Sequence, residues 1–301
     1  MRQPPIVVYR EFAPCAQLRR HVLAFFSFTP ANSVDPTPWR CVIREAQFGV
    51  GDPFSSPLFA DGHVSLTLNL NHACTPDGRW IDNMNPDATV TGAMSAVGPA
   101  HPPDRAEMVG AYFRAGGAAA LIGLPSCAVT DQIVTLNDLW GAAATDLSEQ
   151  LCADGELARI DRLERALLKR LARATSHTTA VDCAGLALWV VASRGLVTVD
   201  QMADAAGVSR QCLSRRFHEA IGVTPKLYCM LARFHAGLAH VGRDANVDWA
   251  RAAADLGYAD QSHMIREFRR FSGLTPAELA SGRWFHPFIA RARSAGVFPL
   301  R

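Results

Sequence analysis

The chain has 301 residues, 49% of them hydrophobic, 19% charged and 8% aromatic, with a formal net charge of +2. That composition excludes a disordered or collagen-like chain, and the length predicts two domains at roughly 100–200 residues each. The longest nearly unbroken apolar run, residues 184–192, is far short of the ~20 residues that span a bilayer, so no membrane partner is expected.

The opening Met1-Arg2-Gln3-Pro4-Pro5 lacks a basic-then-apolar leader, which predicts a cytoplasmic protein. Eight cysteines (15, 41, 74, 127, 152, 183, 212 and 229) are scattered with no Cys-x-x-Cys pair. They read as reduced thiols rather than a zinc ribbon, with a redox sensor among them as an alternative. The near-neutral total hides an asymmetry. Residues 1–175 carry 15 Lys+Arg against 18 Asp+Glu, and residues 176–301 carry 15 against 10. Lys169 and Lys226 are the only lysines, so the positive charge is almost all guanidinium. A basic C-terminal part is the electrostatic precondition for holding an anionic polymer.

The first 125 residues carry short strand patterns divided by breakers such as Asp52-Pro53, Pro76-Asp77-Gly78 and Gly98-Pro99. Val64, Leu66, Leu68 and Leu70 alternate with Ser65, Thr67, Asn69 and Asn71, a period of two that buries one strand face. Segments 22–28, 40–50, 89–97, 107–114 and 133–136 are further candidates, together predicting an antiparallel sandwich or barrel. Residues 138–173 then read as helix, with Asn137 or Asp138 as the cap. Leu157, Ile160, Leu163, Leu167 and Leu171 make an amphipathic stripe that either this domain's sheet or a partner subunit must cover. The small polar residues 174–181 form the linker.

Beyond the linker lies an internal repeat. Residues 215–225, Arg-Arg-Phe-His-Glu-Ala-Ile-Gly-Val-Thr-Pro, align with residues 266–276, Arg-Glu-Phe-Arg-Arg-Phe-Ser-Gly-Leu-Thr-Pro. In each copy a short helix, 199–206 or 247–256, stops at Gly207 or Gly257. A tight turn then brings Ser209 or Asp260 to cap a second helix. That helix turns Leu213 and Phe217, or Met264 and Phe268, inward. Gln211, Ser214 and Arg215, or Ser262, His263 and Arg266, face outward. This is the grammar of a helix-turn-helix. A helix over residues 226–241 separates the copies as a rod about 24 Å long, able to hold two recognition helices near one ~34 Å turn of DNA apart.

Residues 180–285 resemble the paired helix-turn-helix domain of AraC/XylS-type bacterial transcriptional regulators. The resemblance rests on Met202-Ala203-Asp204-Ala205-Ala206-Gly207-Val208-Ser209, Leu213-Ser214-Arg215-Arg216-Phe217 and Gly222-Val223-Thr224-Pro225. It continues through Arg233 and Ala236 to Ala253-Ala254-Asp255-Leu256-Gly257-Tyr258, Phe268-Arg269-Arg270-Phe271 and Gly273-Leu274-Thr275-Pro276. Departures are Ala252-Ala253-Ala254, where an isoleucine-alanine pair is common, and His263-Met264 in place of an aromatic. The N-terminal part resembles the cupin-like sensor half of one AraC-type subgroup, through Asp61-Gly62-His63-Val64-Ser65-Leu66, residues 110–125 and Leu136-Asn137-Asp138-Leu139-Trp140-Gly141.

The resulting expectation is an α+β two-domain protein. Residues 1–175 form an antiparallel β, cupin-like sensor and dimerisation domain with a helical segment at about 138–173. Residues 176–285 form an all-α double helix-turn-helix, and residues 286–301 a tail. DNA contacts are expected from Arg210, Gln211, Ser214, Arg215, Gln261, Ser262, His263, Arg266, Arg269 and Arg270. The resemblance implies double-stranded promoter DNA, RNA polymerase, an effector at the N-terminal domain and a second copy of the chain as partners, and no enzymatic activity. No cofactor or metal is expected: His63, His72 and His101 lack the His-x-His spacing of a metal cupin, and neither a Gly-x-Ser-x-Gly elbow nor a phosphate-cradling loop is present. The rival readings are a metal-dependent cupin enzyme fused to a DNA-binding module, and an architectural DNA binder without an effector. Trp39, Trp80 and Trp140 are candidates for a ligand pocket or for the core.

Overall fold

The computed structural model describes residues 6–30, 42–49, 59–70, 88–98, 107–174, 181–241 and 248–281. The chain divides into two units. The first comprises residues 1–55, 63–92 and 101–178, and the second residues 56–62, 93–100 and 179–301. Among the described residues no helix is long and apolar enough to cross a membrane. The linker residues 175–180 and the tail 286–301 lie outside the described residues, as do His72, His101, Trp39 and Trp80.

The first unit is built on seven strands: β1 (Ile6–Phe12), β2 (Val22–Pro30), β3 (Val42–Gly49), β4 (Ser65–Asn69), β5 (Ala88–Thr91), β6 (Met108–Phe113) and β7 (Ile133–Thr135). They form one sheet in the order β3-β1-β2-β6-β4-β5-β7, and every pairing is antiparallel. The expected alternation holds in β4, where Leu66 and Leu68 are fully buried and Ser65, Thr67 and Asn69 are not. Four helices follow: α1 (Ala119–Ile122), α2 (Leu136–Trp140), α3 (Ala142–Ala153) and α4 (Glu156–Arg173).

Two details of the helical segment differ from the sequence expectation. Thr135, not Asn137 or Asp138, caps α2, its hydroxyl accepting the Asp138 N–H at 3.1 Å. The segment is also broken at Gly141, whose φ of +59° a side chain would resist, so α2 and α3 meet at a corner. The stripe on α4 is covered from within the chain. Ile160, Leu163 and Leu167 sit in one cluster with Leu66, Val109 and Phe113 of the sheet, so the stripe is not a free face for a partner subunit. The start of α4 is held by charge as well. Glu156 is buried, takes the Arg10 guanidinium at 3.0 Å and accepts the Ser27 hydroxyl at 2.7 Å.

The second unit is helical: α5 (Cys183–Ala192), α6 (Val199–Ala206), α7 (Arg210–Ile221), α8 (Pro225–Val241), α9 (Trp249–Asp255), α10 (Gln261–Ser272) and α11 (Pro276–Ser281). Its core runs along α8, from Tyr228 against Phe217 of α7 (ring centroids 5.6 Å apart) to Phe234 against Phe268 and Phe271 of α10 (5.0 and 5.5 Å). Sequence order groups residues 59–62 and 93–98 with the first domain, but packing assigns them to the second unit. Phe59 and Met94 lie in the same cluster as Phe234 and Phe268. The backbone N–H of Ala60 bonds the Phe271 carbonyl at 2.9 Å, and that of Val97 bonds the Arg270 carbonyl at 3.0 Å. These last-turn carbonyls of α10 have no partner inside the helix, so the two short stretches complete its C-terminal end.

Candidate nucleic-acid interface

Each copy of the repeat folds as a helix, a turn and a second helix. In the first, Thr198 caps α6 and Gln201 reaches back to the Thr198 N–H at 2.9 Å, a reciprocal capping box. Gly207 ends α6 at φ +64°, in the left-handed region where a Cβ costs energy, so the chain reverses within three residues. Ser209 then caps α7, its hydroxyl accepting the Cys212 N–H at 3.2 Å. In the second copy Asp248 caps α9, and the Asp260 carboxylate accepts the His263 N–H at 2.7 Å to start α10. Both predicted caps are therefore in place. A carboxylate at an N-cap also matches the positive end of the helix dipole.

Leu213, Phe217, Met264 and Phe268 are fully buried. That fixes the rotation of α7 and α10 about their axes and leaves the opposite face outward. On α7, Arg210, Gln211 and Arg215 are exposed and Ser214 is half-buried. On α10, Gln261, Ser262, Arg266, Arg269 and Arg270 are exposed and His263 is half-buried.

Not every side chain on these faces is equally available. Arg210 makes an exposed ion pair with Asp200 of α6. The His263 ring lies edge-on to Tyr258, with centroids 5.4 Å apart, and its Nε2 is 3.3 Å from the buried Glu267 carboxylate. This contact orients the imidazole and leaves Nδ1 as its second polar atom. Arg270 packs over the Phe271 ring, 5.3 Å from its centroid. Arg233, part of the family pattern, is turned inward: it donates to the Gly195 carbonyl at 3.3 Å and lies 5.2 Å from the Tyr258 ring centre. Arg251 on α9 was not among the expected contacts, yet it is exposed, with Asp255 at 4.0 Å one turn on. Its basic position on the helix that precedes the turn was the available signal.

Among the described residues no group of three or more His, Cys, Asp or Glu could hold a metal ion. His63, the one candidate ligand that is described, places Nδ1 3.3 Å from the Phe113 carbonyl. Burial pushes the Cys183 and Cys229 thiols up to about 11, which disfavours the reactive thiolate.

Comparison with known proteins agrees with the helical geometry. Residues 202–281 match a family described as a helix-turn-helix domain, and residues 10–135 match a domain of unknown function (DUF6597). No curated protein matches the chain. Among solved structures, unsaturated fatty acid-bound wild-type ToxT from Vibrio cholerae strain SCE256 is 9% identical, with a TM-score of 0.40 over 93% of this chain and 97% of that one. ToxT from Vibrio cholerae O395 is 10% identical, with a TM-score of 0.37 over 76% of this chain and 93% of that one. At those scores the likeness establishes neither fold nor function by itself. The matched domain, the duplicated capped turn and the two outward arginine-bearing helices make residues 202–281 an AraC-type helix-turn-helix domain, and the chain a DNA-binding transcription regulator.

Proposed function

We propose that α7 and α10 enter adjacent major grooves of promoter DNA and read different base pairs. Gln211, Ser214 and Arg215 serve one groove, and Ser262, His263 and Arg266 the next. Arg215 and Arg266 are exposed at equivalent positions of the repeat, and a guanidinium there can bond guanine O6 and N7 together. Arg210, Gln261, Arg269 and Arg270 flank these positions and suit phosphate contacts, which supply salt-dependent affinity without sequence choice. The 17-residue α8 is a rod about 26 Å long, which supports two separated reading heads on one duplex.

The wider arrangement belongs to the same proposal. Residues 1–175 act as a cupin-like effector-responsive domain, residues 176–285 as the DNA-binding domain, and residues 286–301 as a tail. The protein acts in the cytoplasm without catalysing a reaction. Two copies bind paired half-sites and engage RNA polymerase. Because the apolar stripe of α4 is occupied by its own sheet, pairing would use another surface.

The carrying observation is the matched exposure of Arg215 and Arg266 on two helices capped and terminated alike. The test is binding of Arg266→Ala to duplexes selected from a random pool, followed by fluorescence anisotropy. A loss of about 1–3 kcal/mol on the selected site, with relaxed preference at one base pair, is expected. Uniform weakening on every sequence would refute the base-reading role.

A further inference from the structure

The first unit contains a cleft of ≈ 290 Å³ between α3 and α4, bordered by the end of α2. Its apolar wall is Trp140, Ala143, Leu147 and Ala166. Arg162, Arg165, Lys169, Arg170 and Arg173 line the rest, with Asp146 as the one carboxylate of the lining. The volume lies at the small end of ligand pockets, which begin near about 300 Å³.

The cations are poorly compensated. Arg162 is neutralised by Asp154 at 2.5 Å and bonds Gln150 at 2.8 Å. Among the described residues, Arg165, Lys169, Arg170 and Arg173 have no ion pair. Of the acids of α4, Glu164 is turned away and accepts the Cys15 N–H at 2.7 Å, and Asp161, one turn before Arg165, takes that guanidinium on its backbone carbonyl at 3.3 Å. Arg170 is half-buried, lies 5.1 Å above the Trp140 ring centre and, among the described residues, donates only to the Leu121 carbonyl at 3.3 Å. Its pKa is pushed down by burial and by Arg173, the mark of a cation short of negative charge. A second observation is independent of the charges. Trp140 is 91% buried (9% exposed), and its indole Nε1–H has no acceptor among the described residues. Such an orphaned donor is costly, which marks the Trp140 site as one not optimised for stability alone.

We propose that this cleft binds a small organic anion, a carboxylate on an apolar body. The body lies against Trp140 and Leu147, and the carboxylate is held by Lys169, Arg170 and Arg173. A bare inorganic anion would use the cations but leave the apolar wall wet, whereas an apolar molecule would leave the cations uncompensated. The inference is separate from DNA recognition: binding can be present or absent whatever α7 and α10 read.

Isothermal titration of the full chain tests it with three probes: octanoate, octan-1-ol and inorganic phosphate. Octanoate is expected to saturate one site while the other two bind far more weakly. The double variant Lys169→Glu/Arg173→Glu removes two charge-assisted contacts and should weaken octanoate by roughly tenfold or more. Both side chains are exposed, so its melting temperature without ligand should match the parent. Trp140→Phe, which replaces the indole by a smaller benzene ring and shrinks the apolar wall, should weaken octanoate several-fold. Absence of saturable octanoate binding overturns the proposal, and so does equal affinity in the double variant. Phosphate binding as tightly as octanoate would make this a charge-only site, and octan-1-ol binding as tightly an apolar one; either result also overturns it.

Discussion

Phe59 offers the sharpest test of how the second unit is built. It stands 124 residues before the start of α5, yet it is fully buried, edge-on to Phe234 with centroids 6.2 Å apart, in the cluster that holds α10. Next to it, Ala60 donates its N–H to Phe271 and accepts from the buried His235 ring at 3.2 Å. Truncating a buried phenylalanine costs about 3–5 kcal/mol in lost transfer energy and residual cavity. For a unit of this size that corresponds to roughly 10–20 °C in melting temperature. Thermal unfolding of full-length Phe59→Ala, read together with DNA affinity at 25 °C, measures both the stability and the integrity of α10. Phe59→Leu should recover much of the loss because it refills most of the volume. Residues 179–301 expressed alone lack Phe59, Met94 and both donors to the end of α10, and should melt lower than the second unit of the full chain. If Phe59→Ala melts within a degree or so of the parent while Phe268→Ala is strongly destabilised, the placement of residues 59–62 in this core is wrong.

Glu156→Ala should destabilise the first unit by about 3 kcal/mol or more, because it removes the buried carboxylate that the Arg10 guanidinium and the Ser27 hydroxyl both bond. Chemical denaturation checks this, and a change within experimental error would mean that the pair contributes nothing net. Alkaline stability follows from Cys183 and Cys229, whose thiols are raised from 9.0 to about 11 by burial. The unfolded chain releases these protons first, so their contribution is intact below pH 9 and is lost as pH rises towards 11. The double variant Cys183→Ala/Cys229→Ala should flatten the stability-pH curve across that window; an unchanged slope would assign the alkaline loss to other groups.

Local pattern carried most of the helix-turn-helix repeat. The caps Ser209 and Asp260, the stop at Gly207 and the inward pairs Leu213–Phe217 and Met264–Phe268 all depend on interactions within a few residues, so spacing and residue type were enough to read them. The fate of the α4 stripe could not be read that way. Periodicity reveals an apolar face but not what covers it, and here the cover is the chain's own sheet, formed from strands up to about 150 residues earlier. His263 likewise looked like a free reader until Glu267 and Tyr258 were found beside it. Most of all, the assignment of residues 59–62 and 93–98 to the second unit was invisible, since two short irregular stretches carry no periodic signal. Sequence by itself determined the helices of the repeat, the caps Ser209 and Asp260 and the outward arginines, because those are set by neighbours along the chain. Tertiary structure alone decided which distant backbone N–H groups finish α10 and which cations around Trp140 are left without counter-charge, because those depend on groups that meet only after folding.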